Sequence, residues 1–222
     1  MKIKSFIGGY DKNLSYLIWC EKTKHTALID ASVKPNKMID FIKSEKLILK
    51  KIFITHSHLD HIYFINDWIN YNNDILLYGY NSKIEKINKK IYQITNHEVI
   101  NVGEELITSL YTPGHYWDSM CFWNQSKKCI FTGDTLFSLG CGRIFEGTYE
   151  QMFNSLDKIK MEIIIKNGTQ KSTFPDDCRS SPGRCQHLCT GSRHHQDCAG
   201  RPGHRPGRPV RRHAVHWRQD GH

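Results

Sequence analysis

No apolar run in the chain approaches the roughly 18 residues that a membrane-spanning helix needs. The opening residues, Met1-Lys2-Ile3-Lys4-Ser5-Phe6-Ile7-Gly8-Gly9, lack the apolar core of a secretory signal. These absences predict a cytoplasmic location with no membrane partner, and eight cysteines standing as reduced thiols or metal ligands rather than disulfides. Arginine is almost missing from the first 170 residues, where Arg143 stands alone among 20 lysines. Lysine, isoleucine and asparagine are missing in turn from residues 172–222.

What is present suits one globular core with an appendage: 222 residues, 39% hydrophobic and 24% charged. The net charge of +9 is unevenly placed. Residues 1–170 carry 21 basic and 18 acidic residues, an excess of three, whereas residues 171–222 carry ten and four, an excess of six. The basic character therefore belongs mostly to the tail and argues for no specific nucleic-acid partner of the main domain. The sequence divides accordingly into residues 1–168 and a basic Arg/Pro/Gly/His/Cys-rich stretch, 169–222. The change of vocabulary reads as a frameshift, a chimeric assembly or an out-of-frame end, and otherwise as a disordered basic tail with too few large apolar residues for a core. Within it Cys178, Cys185, His187, Cys189 and Cys198 imitate a zinc site, but their spacing lacks the close ligand pairs of one.

In the first domain, strands are predicted at residues 16–20, 26–30, 51–55, 75–78, 98–101, 105–111, 120–123, 129–132 and 162–165. Helices are predicted at 35–44, opened by Pro35, and at 62–71, 82–92 and 149–158. Strands outnumber helices and both recur along the chain, which predicts a sheet-on-sheet core flanked by helices.

The stretch with most chemical content is Thr55-His56-Ser57-His58-Leu59-Asp60-His61, between a strand end and a helix start. In an extended segment, residues 56 and 58 point to the same side, so two imidazoles can grip one ion. The turn into the helix lets Asp60 and His61 face a second. Imidazole and carboxylate are the donors that borderline divalent ions prefer. Two more loops follow strands directly: Thr112-Pro113-Gly114-His115 and Thr132-Gly133-Asp134-Thr135. Each alone is weak, but three such groups at strand ends of one small domain point to a single site.

Together these three motifs resemble the metallo-β-lactamase superfamily over about residues 3–168. Residues 133–148, GDTLFSLGCGRIFEGT, are similar to its glyoxalase II (hydroxyacylglutathione hydrolase) group. The resemblance implies an α/β fold, a four-layer αββα sandwich, holding two divalent ions, zinc before iron or manganese. By it His56, His58 and His115 would hold one ion, Asp60 and His61 the other, and Asp134 would bridge both. Asp60 and Asp134 would also tune the ions and orient the attacking water. Arg143 would contact the glutathione part of the substrate. The implied reaction is hydrolysis of an S-2-hydroxyacylglutathione to glutathione and a 2-hydroxy acid, by a monomer.

The family supplies a further histidine to the second ion, in a Gly-His-Glu-Tyr-like motif, and a C-terminal helical domain; neither follows here. The alternatives are a persulfide dioxygenase with one iron, another hydrolase of the fold such as a lactonase or nuclease, or a catalytically dead binding protein.

Overall fold

The computed structural model describes residues 1–9 and 12–167, with side chains up to residue 162. The tail from residue 169, with its zinc-site imitation, lies outside the described residues.

Among the described residues, ten strands form two sheets. The first carries six: β1 (Lys2–Gly8), β2 (Asn13–Trp19), β3 (His25–Ile29), β4 (Ile48–Phe53), β5 (Leu76–Gly79) and β6 (Ile91–Gln93), in sequence order. Strand β2 pairs antiparallel with both β1 and β3, and β3 to β6 run parallel. The second sheet is antiparallel, in the order β10-β9-β8-β7, from β7 (Val99–Val102), β8 (Glu105–Tyr111), β9 (Met120–Asn124) and β10 (Cys129–Phe131). Parallel strands need crossovers, and α1 (Asn36–Ser44) joins β3 to β4 while α2 (Leu59–Ile62) and α3 (Ile65–Tyr71) join β4 to β5. The long α4 (Tyr149–Asn167) follows β10. Among the described residues no helix is long and apolar enough to cross a membrane.

Side-chain alternation builds the layers. On β2, Leu17 and Trp19 face α1 and α3, packing with Met38, Ile42, Ile65 and Trp68, while Tyr16 and Ile18 face the second sheet. Leu49 and Ile52 of β4 reach the same helical layer despite their odd spacing, because a register shift opposite Thr26 and Ala27 inserts one residue. Phe53 faces the other way, onto Phe122 of β9 at 4.9 Å between ring centroids. On the far side of the second sheet, Leu110, Cys121, Trp123 and Ile130 meet Ile159 of α4. The order helix–sheet–sheet–helix is the αββα sandwich that the resemblance implied.

Several local expectations are corrected. The strand predicted at 162–165 is the last part of α4: a run of three isoleucines favours a strand only weakly, and continuing helical bonding outweighs it. Residues 82–90 form turns leading into β6 rather than a helix. There Asn81 Oδ1 accepts from Lys83 N at 2.9 Å and Asn66 Nδ2 donates to Lys86 O at 2.8 Å, diverting backbone groups a helix would use. The helix predicted over 62–71 is broken, because Phe64 N donates to Ala31 O at 2.9 Å instead of to its own helix. Strand β1 was not read at all.

Candidate metal centre

Every predicted ligand lies at the same end of the sandwich, on loops that leave β4, β8 and β10. His56 follows β4 by three residues. His58 caps α2, and its extended backbone (φ −60°, ψ 139°) turns Asp60 and His61 into the first helical turn. His115 lies on the loop after β8 and Asp134 on the loop after β10. His56, His61, His115 and Asp134 are buried, and His58 is half-buried.

Three imidazole nitrogens converge on one point. His58 Nδ1 lies 3.1 Å from His56 Nε2 and 3.0 Å from His115 Nε2. Asp134 Oδ2 lies 3.6 Å from His115 Nε2, and Oδ1 is 3.3 Å from His61 Nε2. On the other side of His61, Asp60 Oδ2 is 3.9 Å from the same nitrogen. Two sets of donors are close enough to share an ion: His56, His58 and His115, and His56, His61 and Asp134.

The hydrogen-bond partners fix which nitrogen of each ring is available. A carbonyl can only accept, so at 2.5 Å from Arg143 O the Nδ1 of His115 carries the hydrogen and Nε2 presents a lone pair. His61 Nδ1 donates to Asp30 Oδ2 at 2.7 Å. Thr55 Oγ1 also donates to Asp30 Oδ2, at 2.7 Å, so its oxygen is left to accept from His56 Nδ1 at 3.1 Å. One carboxylate, Asp30, thus sets the tautomer of two rings, and also accepts from Thr55 N at 2.8 Å. Asp30 holds a left-handed backbone (φ 56°), which aspartate tolerates better than most residues.

The remaining supports act on the loops. Asn13 Nδ2 donates to Asp60 Oδ2 at 2.8 Å and fixes that carboxylate. Buried Asp118 accepts from Ser57 N at 3.2 Å, holding the segment between His56 and His58. Asp30, Asn13 and Asp118 were not read from the sequence. The only signal for Asp30 was an acid at the end of the apolar run Thr26-Ala27-Leu28-Ile29, the position that the recognised loops also occupy.

Burial pushes the His56 pKa well below its ordinary value, helped by the neighbouring His61. Burial and the adjacent His115 lower His58 to about 4. At neutral pH both offer lone pairs. Burial opposes the charge on His61, but the carboxylates of Asp30 and Asp134 outweigh it and raise its pKa well above 6.5. Burial likewise opposes ionised Asp134, and the hydrogen bond and charge of His61 overcome it, holding the carboxyl below the usual range. The second group thus attracts positive charge. His61 Nε2 is buried and lies 3.3 Å from Asp134 Oδ1, so the charged imidazole and the carboxylate pair where a cation would sit. A cavity beside it is walled by Asn13, Tyr16, His61, Asp134, Phe131 and Phe137.

Arg143 sits differently. Its backbone carbonyl supports His115, whereas its side chain is exposed, with the guanidinium 5.3 Å over the Phe145 ring. Phe145 in turn meets the His58 and His115 rings edge to face, each at 5.4 Å. The guanidinium therefore stands near the rim of the site.

The model of the metallo-beta-lactamase superfamily matches residues 8–162. A probable hydroxyacylglutathione hydrolase of Schizosaccharomyces pombe is 34% identical over 181 residues, covering 79% of this chain and 64% of that protein. The hydroxyacylglutathione hydrolase of Bartonella tribocorum is 38% identical over 159 residues, covering 72% and 62%. The chain thus spans a little under two thirds of these relatives' length. Among solved structures, ETHE1 from Myxococcus xanthus superposes with a TM-score of 0.64 at 24% identity, covering 74% of this chain and 72% of that one, a likeness of fold.

Proposed function

The chain belongs to the metallo-beta-lactamase superfamily, and from that premise we propose that it hydrolyses a thioester such as an S-2-hydroxyacylglutathione. The observation that carries this reading is the convergence of three imidazole nitrogens beside a fourth, on His61, that faces Asp134 at 3.3 Å. Such donors fit divalent ions, zinc before iron or manganese: His56, His58 and His115 would hold one, and Asp60 and His61 would hold another, with Asp134 available to both. When bound, such ions supply Lewis acidity and bring the pKa of a water from 15.7 to about 7.

The chain's own groups do the rest. Asp60, fixed by Asn13, and Asp134 accept hydrogen bonds from the attacking water and aim it at the thioester carbonyl. The phenyl ring of Phe145 and the half-buried Tyr116, whose ring lies 4.2 Å from His58, shield that approach from bulk water. A thiol with a pKa of about 8.5 leaves readily as its anion, so little proton donation is needed. Arg143, at the rim, holds a substrate carboxylate remote from the bond that breaks, in the two-pronged contact that a guanidinium makes.

The zinc-loaded chain is tested with an S-2-hydroxyacylglutathione, a β-lactam and a phosphodiester. Thiol release is expected to be the fastest reaction. Arg143→Ala is expected to raise KM with little change in kcat, because a remote anion is bound equally in ground and transition states. Cleavage of the phosphodiester but not the thioester, or one tightly held iron with oxygen consumption, overturns the reading.

A further inference from the structure

Besides the bonds from Tyr111 N to Asn96 Oδ1 and from Thr112 N to Ser119 O, three carbonyl oxygens of the segment that carries His115 accept hydrogen bonds from elsewhere in the fold. Tyr111 O accepts from Lys158 Nζ. Pro113 O accepts from Ser155 Oγ at 2.6 Å, and His115 O from Phe145 N at 3.1 Å. Between them, the side chains of Thr112 and Thr135 lie 3.1 Å apart and tie this loop to the one bearing Asp134.

Two of these donors come from one face of α4. Met152, Ser155 and Lys158 follow one another at intervals of three, so they share a stripe along the helix. Met152 and Ser155 are buried, at 3% and 2% exposure. Met152 presses so closely on Gly114 that a Cβ there would lie 2.6 Å from its Cα, and Gly114 has φ 143°. The Lys158 ammonium lies 5.9 Å over the Tyr111 ring as well as on its carbonyl. A lysine held half-buried at a carbonyl of a site loop does more than solubilise a helix.

We propose that Met152, Ser155 and Lys158 form a template on α4 that sets the backbone of residues 111–115 and so aims His115 Nε2 at the three-histidine point. Ser155 and Lys158 are then positioning residues: they touch neither substrate nor ion, and act through His115. This rests on the metal-centred reading above.

The test uses the full chain with cobalt(II) in place of zinc, in wild type, Ser155→Ala, Lys158→Met and Lys158→Arg. Asn154→Ala, on the exposed side of the helix, is the control. Ser155→Ala and Lys158→Met are expected to alter the cobalt visible absorption bands and to weaken cobalt binding at the tighter site about tenfold, the loss typical when a ligand's support is removed. Lys158→Arg, which keeps the donor, is expected to restore both, and Asn154→Ala to change neither. In the metal-free proteins, the ring-nitrogen NMR signals of 15N-labelled His115 are expected to shift or broaden in Ser155→Ala and Lys158→Met.

Unchanged cobalt spectra, affinity and His115 signals in both variants overturn the proposal. So does failure of both to fold, which would make the contacts purely structural, and so does failure of arginine to rescue. A wild-type chain that takes up no cobalt sinks the metal reading instead, and the His115 signals still decide whether α4 positions that ring.

Discussion

Asp30 is the residue on which most of the site's order depends. It receives Thr55 N, Thr55 Oγ1 and His61 Nδ1, and through Thr55 it orients His56. Asp30→Ala leaves buried donors unpaired, each costing about 1–3 kcal/mol. It is expected to lower denaturant stability by that order, and to weaken metal binding about 10–100-fold in competition with a chromophoric chelator. Asp30→Asn, which keeps the side chain's shape and one acceptor, is expected to fall between. Unaltered metal affinity in Asp30→Ala would show that the two imidazoles hold their tautomers without it. His58 gives a pH dependence in the metal-free protein. Its pKa in the fold is about 4, below the ordinary 6.5, so the folded state binds fewer protons than the unfolded between these values. Its contribution is therefore fully present above pH 6.5 and is lost as the pH falls toward 4. The melting temperature is expected to drop across that window, and to drop less in His58→Asn. An identical slope in the variant would assign the pH dependence to other groups.

At the scale of elements, the site is a meeting of loop ends, and glycines allow the loops to touch. A Cβ on Gly142 would lie 2.0 Å from Asp134 O and 2.8 Å from His115 Nδ1, where Gly142 N now donates to Asp134 O at 2.9 Å. Both close neighbours belong to candidate ligand residues, one of them a backbone atom that cannot swing aside. Gly142→Ala is expected to cost about 1–3 kcal/mol of stability, as overpacking does, and to reduce bound metal measured by elemental analysis. Full metal content in this variant would mean that the loop yields without moving His115. The loop between β4 and α2 was legible because its candidate ligands lie within six residues of one another, so a single extended segment and helical turn bring them together. The turns at 82–90 were not legible. Their lysine and isoleucine spacing fits a helix, and only Asn66, from α3, shows that the carbonyl of Lys86 is engaged elsewhere.

At the scale of the whole molecule, the proposed ligands come from three strand ends of two sheets, so bound metal would link both sheets and stabilise the fold by mass action, about 2.7 kcal/mol at a free concentration 100 times Kd. Melting temperature is expected to rise with added zinc and to fall with chelator in two steps. On the proposed assignment, the ion at Asp60, His61 and Asp134, with one imidazole, is expected to leave before the ion at the three histidines. A chain truncated after Gly168 is expected to keep its fold and the three-histidine ion, whose ligands all precede α4. Loss of folding, or of half the bound metal, would show that the tail belongs to the structure. The sequence by itself pointed to the kind of chemistry: the donor types and their clustering after strands are local motifs, and the resemblance those motifs carry implied the αββα order and the family. Only the tertiary structure decided which ring nitrogen faces the centre, because Asp30 lies 25 residues from Thr55 and 31 from His61, and Ser155 lies 42 from Pro113. Those contacts form when sheets and helices pack, and no local pattern in the chain records which partners packing will bring together.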